Sequence, residues 1–167
     1  MEEFVVTAAI NLRRKSLSLL EYRKLQNALI QNENHVNAFL KVNNVIQGLS
    51  RDLASKSIQI KLAAANCCCN LALGNSKTCI TLCKFIAPYL IADFESRNQP
   101  LVEVCVWTIG NLVTENNNVF CILHAQDCMK SLINLVRQSS DTLLPAVSYA
   151  CLRYIYSEYQ ILLKLEQ

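Results

Sequence analysis

The sequence predicts an all-α protein made of stacked helical repeats, and three observations carry that prediction. The chain of 167 residues is 52% hydrophobic and 17% charged, with three Gly and three Pro. That composition disfavours turn-rich β architecture, disorder and collagen-like classes. One short pattern then returns at nearly constant spacing: Asn66-Cys67-Cys68-Cys69-Asn70-Leu71, Trp107-Thr108-Ile109-Gly110-Asn111-Leu112 and Tyr149-Ala150-Cys151-Leu152-Arg153-Tyr154, at steps of 41 and 42 residues. Each copy sits in a long apolar stretch of helical character. No single unit of this kind can bury its apolar face alone, so stacking of at least three units must supply the core.

The period lies in the ~40–47 residue range of HEAT and armadillo repeats, and the internal order of helices separates the two. Residues 1–15 stand apart as an N-terminal segment, an apolar patch at 4–10 followed by the short basic cluster Arg13-Arg14-Lys15. The repeat domain covers 16–167. Its first part reads as a long helix over 16–31, a short one over 34–42 and a medium one over 44–55. Residues 57–73 form the next long helix, closed by Gly74-Asn75, a pair suited to a helix C-terminus. Ser76 caps a short helix to 85, Pro88 lies near the start of the following one, and 93–99 is a polar linker. Pro100 opens the second long helix, which runs to about 115 and is broken by Asn116-Asn117-Asn118. A short helix to 124, a medium helix capped by Asp127 and ending at 138, and the lead-in Ser139-Ser140-Asp141 bring the chain to its third long helix. Short, medium, long is the armadillo order. The fold class expected is therefore an armadillo-type right-handed superhelical solenoid of about three and a half repeats. Its last stretch, Ile161-Leu162-Leu163-Lys164-Leu165, is more apolar than a capping helix needs to be and calls for further repeats or a second copy.

Sixteen Lys plus Arg against thirteen Asp plus Glu leave a net charge of +3, too small for a strong global pull on nucleic acid or anionic lipid. No nucleic-acid partner is expected. No apolar run reaches the ~18–20 residues a membrane span requires. The nine Cys are an odd number and the first residues lack the layout of a signal peptide, which points to free thiols in a reducing compartment, cytoplasmic or nuclear.

The catalytic inventory is empty. There is no Gly-rich phosphate loop, and the two His residues, His35 and His124, belong to no nucleophile, acid–base or cofactor pattern. An enzyme is not expected, and neither is a cofactor. Cys79 with Cys83, and Cys121 with His124 and Cys128, come nearest to metal-ligand spacing. They stand among Leu, Ile and Val at helical spacing, where Cys packs as a small hydrophobe, so no metal site is assigned.

The informative constellation lies on the second long helix, where Glu103, Trp107, Asn111 and Glu115 recur every four residues and share one ridge. Long third helices line the concave groove of an armadillo array. There an indole can pack on the stem of a Lys or Arg and attract its cationic head, and an Asn amide can hydrogen-bond an extended peptide backbone. The two carboxylates supply the complementary charge. The ridge continues through Asn66 and Asn70 before it and Tyr149 after it. A second reading packs Trp107 between repeats as a large core residue, with Asn111 satisfying a neighbouring loop.

The segment Trp107-Thr108-Ile109-Gly110-Asn111 resembles the Trp-x-x-x-Asn element of importin-α third helices. The wider run from Leu101 to Val113, with the following Ser148-Tyr149-Ala150, resembles more closely an importin-α-related family, the transmembrane and coiled-coil domain-containing protein six group. The resemblance spans roughly residues 17–155. It implies an armadillo adaptor that binds basic nuclear-localisation peptides and serves nuclear import. The chain departs from the importin-α pattern at the equivalents of Trp107, which are Asn66 and Tyr149, and of Asn111, which are Asn70 and Arg153. One complete subsite survives, and Arg153 opposes a cationic side chain at its position.

Two functional readings follow. In the first, the concave face centred on Trp107 and Asn111 holds an extended basic peptide, with Arg13-Arg14-Lys15 able to fold back against Glu103 and Glu115 as an autoinhibitor. In the second, the solenoid docks a partner protein, or a second copy as a homodimer, through its apolar ends.

Overall fold

The computed structural model describes residues 1–113 and 117–165. The described residues form α1 (Glu2–Arg14), α2 (Leu19–Gln31), α3 (Glu33–Leu40), α4 (Val45–Leu53), α5 (Ile58–Leu71), α6 (Ser76–Phe85), α7 (Ala87–Ala92), α8 (Gln99–Leu112), α9 (Asn117–Ala125), α10 (Cys128–Gln138) and α11 (Leu144–Leu165). A 3₁₀ turn, Asp93–Glu95, links α7 to α8, and no strand occurs among the described residues.

The helices group as the sequence period requires. Helices α1 and α2 make a half repeat, and α3-α4-α5, α6-α7-α8 and α9-α10-α11 make three full ones. The long helices α2, α5, α8 and α11 pack in a row, each against the next. The fold is an armadillo-type solenoid of about three and a half repeats. One continuous apolar cluster runs through it from Val5 to Tyr154, as expected when the core comes from stacking.

Local chemistry sets the helix starts. Ser18 Oγ accepts from the Glu21 amide while the Glu21 carboxylate accepts from the Ser18 amide, a reciprocal cap on α2. Ser57 caps α5 and Asn98 caps α8. Four expectations change. Asp127 stands at the N-cap of α10 but makes no side-chain capping hydrogen bond. Asn75, not Ser76, caps α6, because its Oδ1 reaches the Thr78 amide at 3.1 Å. Gly74 has negative φ; its missing Cβ instead leaves room for the Leu71 carbonyl and the Thr78 side chain. The 93–99 linker is partly inside the core: Phe94 is buried, and the buried Asp93 carboxylate pairs with Lys61 of α5. Helix α8 ends at Leu112; of the expected breaker Asn116-Asn117-Asn118, Asn117 and Asn118 lie in the first turn of α9, while residue 116 and the ridge residue Glu115 lie outside the described residues.

Residues 1–15 are set apart by the sequence reading, whereas the structure shows helix α1 inside the same core. Val5, Ala8, Ala9 and Leu12 are buried. Glu2 and Glu3 in its first turn and Arg13 and Arg14 in its last complement the helix dipole. Gly48 of α4 lets α1 approach: a Cβ there would lie 2.6 Å from the Leu12 carbonyl oxygen. A buried polar knot fastens the junction. Asp52, 1% exposed, accepts from Tyr22 Oη at 2.6 Å, Ser16 Oγ at 2.7 Å and Arg51 Nε at 2.8 Å, and Arg51 also donates to the Leu12 carbonyl at 3.0 Å. Because α1 packs on α3 and α4, Arg13, Arg14 and Lys15 are exposed at the N-terminal end of the solenoid rather than folded back over α8. Among the described residues no single helix is long and apolar enough to cross a membrane.

Candidate functional site

The row of long helices carries the predicted ridge. Glu103 on α8 is exposed, and Trp107, Asn111, Asn66, Asn70 and Tyr149 are all half-buried. Both α5 and α8 present the polar positions of their repeat to the neighbouring long helix because the 41–42 residue step returns each position to the same face.

Polar side chains stitch these helices together. Asn70 Nδ2 donates to the Gln26 carbonyl of α2 at 2.9 Å, and Gln26 Nε2 donates back to the Ala63 carbonyl of α5 at 3.0 Å. Asn111 Nδ2 donates to Cys69 Sγ at 3.5 Å, and its Oδ1 accepts from Tyr149 Oη at 3.2 Å. Arg153 Nη2 donates to the Val113 carbonyl at 2.9 Å, placing a cation at the carbonyl end of α8, where the helix dipole favours it. Asn66 turns back onto the Leu62 carbonyl of its own helix at 2.8 Å. The Asn111 amide thus bridges three successive repeats.

Trp107 joins this ladder by stacking. Its ring lies 4.8 Å from that of Tyr149 at the centroids, tilted by 41°, within the separation at which aromatic pairs attract. The indole packs against the core on one side and keeps part of its surface in solvent. Gly110 makes this possible, since a Cβ at that position would lie 2.6 Å from two Tyr149 ring carbons. The surface so formed has an exposed carboxylate, a half-exposed indole and partly committed amides in one line, which suits recognition of an extended chain.

Sequence reasoning missed the partners that hold the ridge: Gln26, Cys69 and the glycine at 110. Cys69 and Gly110 occupy equivalent positions one period apart, and that recurrence of small residues was the available signal. The structure also separates the ligand-like cysteines. Cys121 is exposed while Cys128 is buried, and His124 stacks on Phe120 at 5.7 Å. Cys79 and Cys83 are buried, and burial pushes the thiols of Cys83 and Cys128 up to about 12. Burial also raises Cys69, opposed by side-chain hydrogen bonding with Thr108 and Asn111. Among the described residues no group of three His, Cys, Asp or Glu side chains is placed to hold a metal ion.

No family model matches the chain. Solved structures with the same fold do. A designed armadillo repeat protein in complex with the peptide (KR)4 aligns with a TM-score of 0.79 at 15% identity, over 87% of this chain and 62% of that one. An engineered protein aligns with a TM-score of 0.82 at 13% identity, over 92% and 63%. Computationally designed armadillo repeat proteins for modular peptide recognition align at 0.73 and 17% identity, over 87% and 61%. The chain therefore spans about three-fifths of the length of these structures. At such identities the likeness establishes the fold class, an armadillo-repeat solenoid, and the site must be argued from its own residues.

Proposed function

We propose that the chain is a non-enzymatic adaptor that holds an extended, basic peptide against its row of long helices. The observation that carries this reading is the arrangement on α8, where the half-exposed Trp107 indole stands one turn from the exposed Glu103 carboxylate and one turn from Asn111. A Lys or Arg side chain laid over the indole places its stem on the ring and its charge beside Glu103. The Asn111 amide carries a second N–H donor that a peptide carbonyl can accept from. Two solved neighbours, one complexed with (KR)4 and one set designed for modular peptide recognition, support the reading by analogy of fold.

The resemblance of the Trp107 segment to importin-α third helices extends the proposal to nuclear-localisation peptides and nuclear import, with the protein in cytoplasm or nucleus. Arg153 limits the subsite, since its cation sits at the next repeat and opposes a second basic residue there. A single strong basic position flanked by neutral residues fits this face better than an unbroken basic run.

The test is charge reversal at an exposed position. Binding of a labelled Lys/Arg peptide, followed by polarisation, is expected to weaken about tenfold in Glu103→Lys and to fall as salt rises from about 50 to about 500 mM. Equal affinity in Glu103→Lys, with unchanged helicity, would remove this helix from the binding face.

A further inference from the structure

The last helix carries an apolar stripe that the solenoid does not use. On α11, Leu152, Ile155, Tyr156, Tyr159 and Leu162 are between 47% and 67% exposed, and their spacing of three and four residues puts them along one side of the helix. In repeat register α8 ends at the equivalent of Tyr154, so the part of α11 from 155 to 165 has no counterpart in the preceding long helix. That overhang is about 16 Å long.

We infer that this stripe pairs with the same stripe of a second copy, α11 against α11 in antiparallel orientation. A further armadillo repeat stacked in the same register is disfavoured by one residue. The position that receives the next repeat is Cys69 in one repeat and Gly110 in the following one, and it needs to be small because Tyr149 nests against Gly110. In α11 that position is Leu152, 67% exposed, whose side chain fills the place where the next ring would lie.

Self-pairing fits the order of residues. The stripe is symmetric along the helix, so one antiparallel register sets Leu152 beside Leu162 and Ile155 beside Tyr159 of the other copy, twice over. A two-fold interface requires this kind of self-complementarity. The same register brings Tyr156 beside Glu158 of the other copy, and Glu158 is exposed and the only charged residue between Ile155 and Leu162. A tyrosine hydroxyl can donate to that carboxylate. The stripe is continuous with the α8–α11 contact, since Tyr149, Leu152, Tyr156 and Tyr159 line one open concavity of about 620 Å³. Five half-exposed side chains of this size offer on the order of 100 Å² each, which over two copies reaches roughly the 1,000 Å² at which a specific interface begins. An interface of that size stands at the low end of specific contacts, where association is weak and reversible.

Sedimentation of the full chain from about 1 to about 300 μM is expected to show a monomer–dimer equilibrium in that range. Ile155→Glu, on the overhang and 55% exposed, is expected to abolish the dimer with circular dichroism unchanged. The register is tested by Ile155→Cys and Tyr159→Cys, each made in a Cys121→Ser background. Mixed under mild oxidation, they are expected to give a covalent dimer several-fold above either variant alone. A monomer throughout the concentration range, a dimer that survives Ile155→Glu, or equal cross-linking of the separate variants would overturn the proposal. None of these outcomes bears on the peptide groove, which is read from α8.

Discussion

Trp107 and Tyr149 stack across the boundary between the last two repeats, 4.8 Å apart at their ring centroids, while the Tyr149 hydroxyl donates to Asn111 one turn further along α8. One aromatic pair therefore both shapes the candidate site and fastens α8 to α11. The pair also explains the glycine beneath it, because the Tyr149 ring occupies the space of a Cβ at 110.

Gly110→Ala should invert an ordinary helix rule. Ala in place of Gly within a helix usually stabilises by about 1 kcal/mol. Here the added methyl meets a ring held in place by Trp107 and Asn111, and overpacking of that kind costs about 1–3 kcal/mol. Thermal or urea unfolding should show Gly110→Ala less stable than wild type by about 1 kcal/mol, and more stable than its parent when made in a Tyr149→Ala background. The same sign in both backgrounds would mean that the ring is not what the methyl meets.

The Tyr22–Asp52 contact predicts a loss of stability in alkali. Burial, then the hydrogen bond to Asp52, push the Tyr22 hydroxyl well above its ordinary range, and burial raises Tyr154 in the same direction. For a group whose folded pKa is raised, the neutral form favours folding, so the contribution is complete below the unfolded value of about 10 and is lost as pH climbs above it. Tyr22→Phe should cost about 1–3 kcal/mol at neutral pH, since it removes a partner from a buried carboxylate. It should also reduce the fall in melting temperature between pH 9.5 and 11, leaving the share due to Tyr154 and to the buried thiols, whose pKa values burial also raises. An unchanged alkaline slope in Tyr22→Phe would contradict the assignment.

Nine free thiols should behave very unequally. Cys121 is exposed, whereas Cys67, Cys68, Cys79, Cys83, Cys105 and Cys128 are buried, and burial raises the pKa of each of these six. A thiol that is both buried and protonated is unreactive. Titration of the native protein with a disulfide reagent should show one fast thiol, abolished by Cys121→Ser, the half-buried Cys69 and Cys151 reacting more slowly and the buried six appearing only on unfolding. Rapid reaction of several cysteines in the folded state would place them outside the core.

The repeat plan was legible because period and capping both act locally. Ser57 caps α5, and Pro88 and Pro100 sit in the first turns of α7 and α8. Residues 2–14 were harder to read, since their helix starts at Met1 without a side-chain cap and owes its place to Gly48 and the Asp52 knot, partners more than thirty residues away in sequence. The ridge of Asn66, Asn70, Glu103, Trp107, Asn111 and Tyr149 could be placed on its helices from spacing alone. That Asn70 and Asn111 spend hydrogen bonds on the neighbouring repeat could not, because it depends on the distance between stacked helices. That distance is set by small residues such as Cys69 and Gly110, acting together with the side chains that reach over them.

The most direct measurement uses Trp107, the single tryptophan of the chain, as its own reporter. Its fluorescence should be titrated with a Lys/Arg peptide and with an acidic control, at about 50 and about 500 mM salt. The account predicts an emission quenched by acrylamide in the free protein and a saturable change with the basic peptide alone, weaker at high salt. An emission that is blue, unquenchable and unmoved by either peptide would contradict it, placing Trp107 wholly within the packing between repeats.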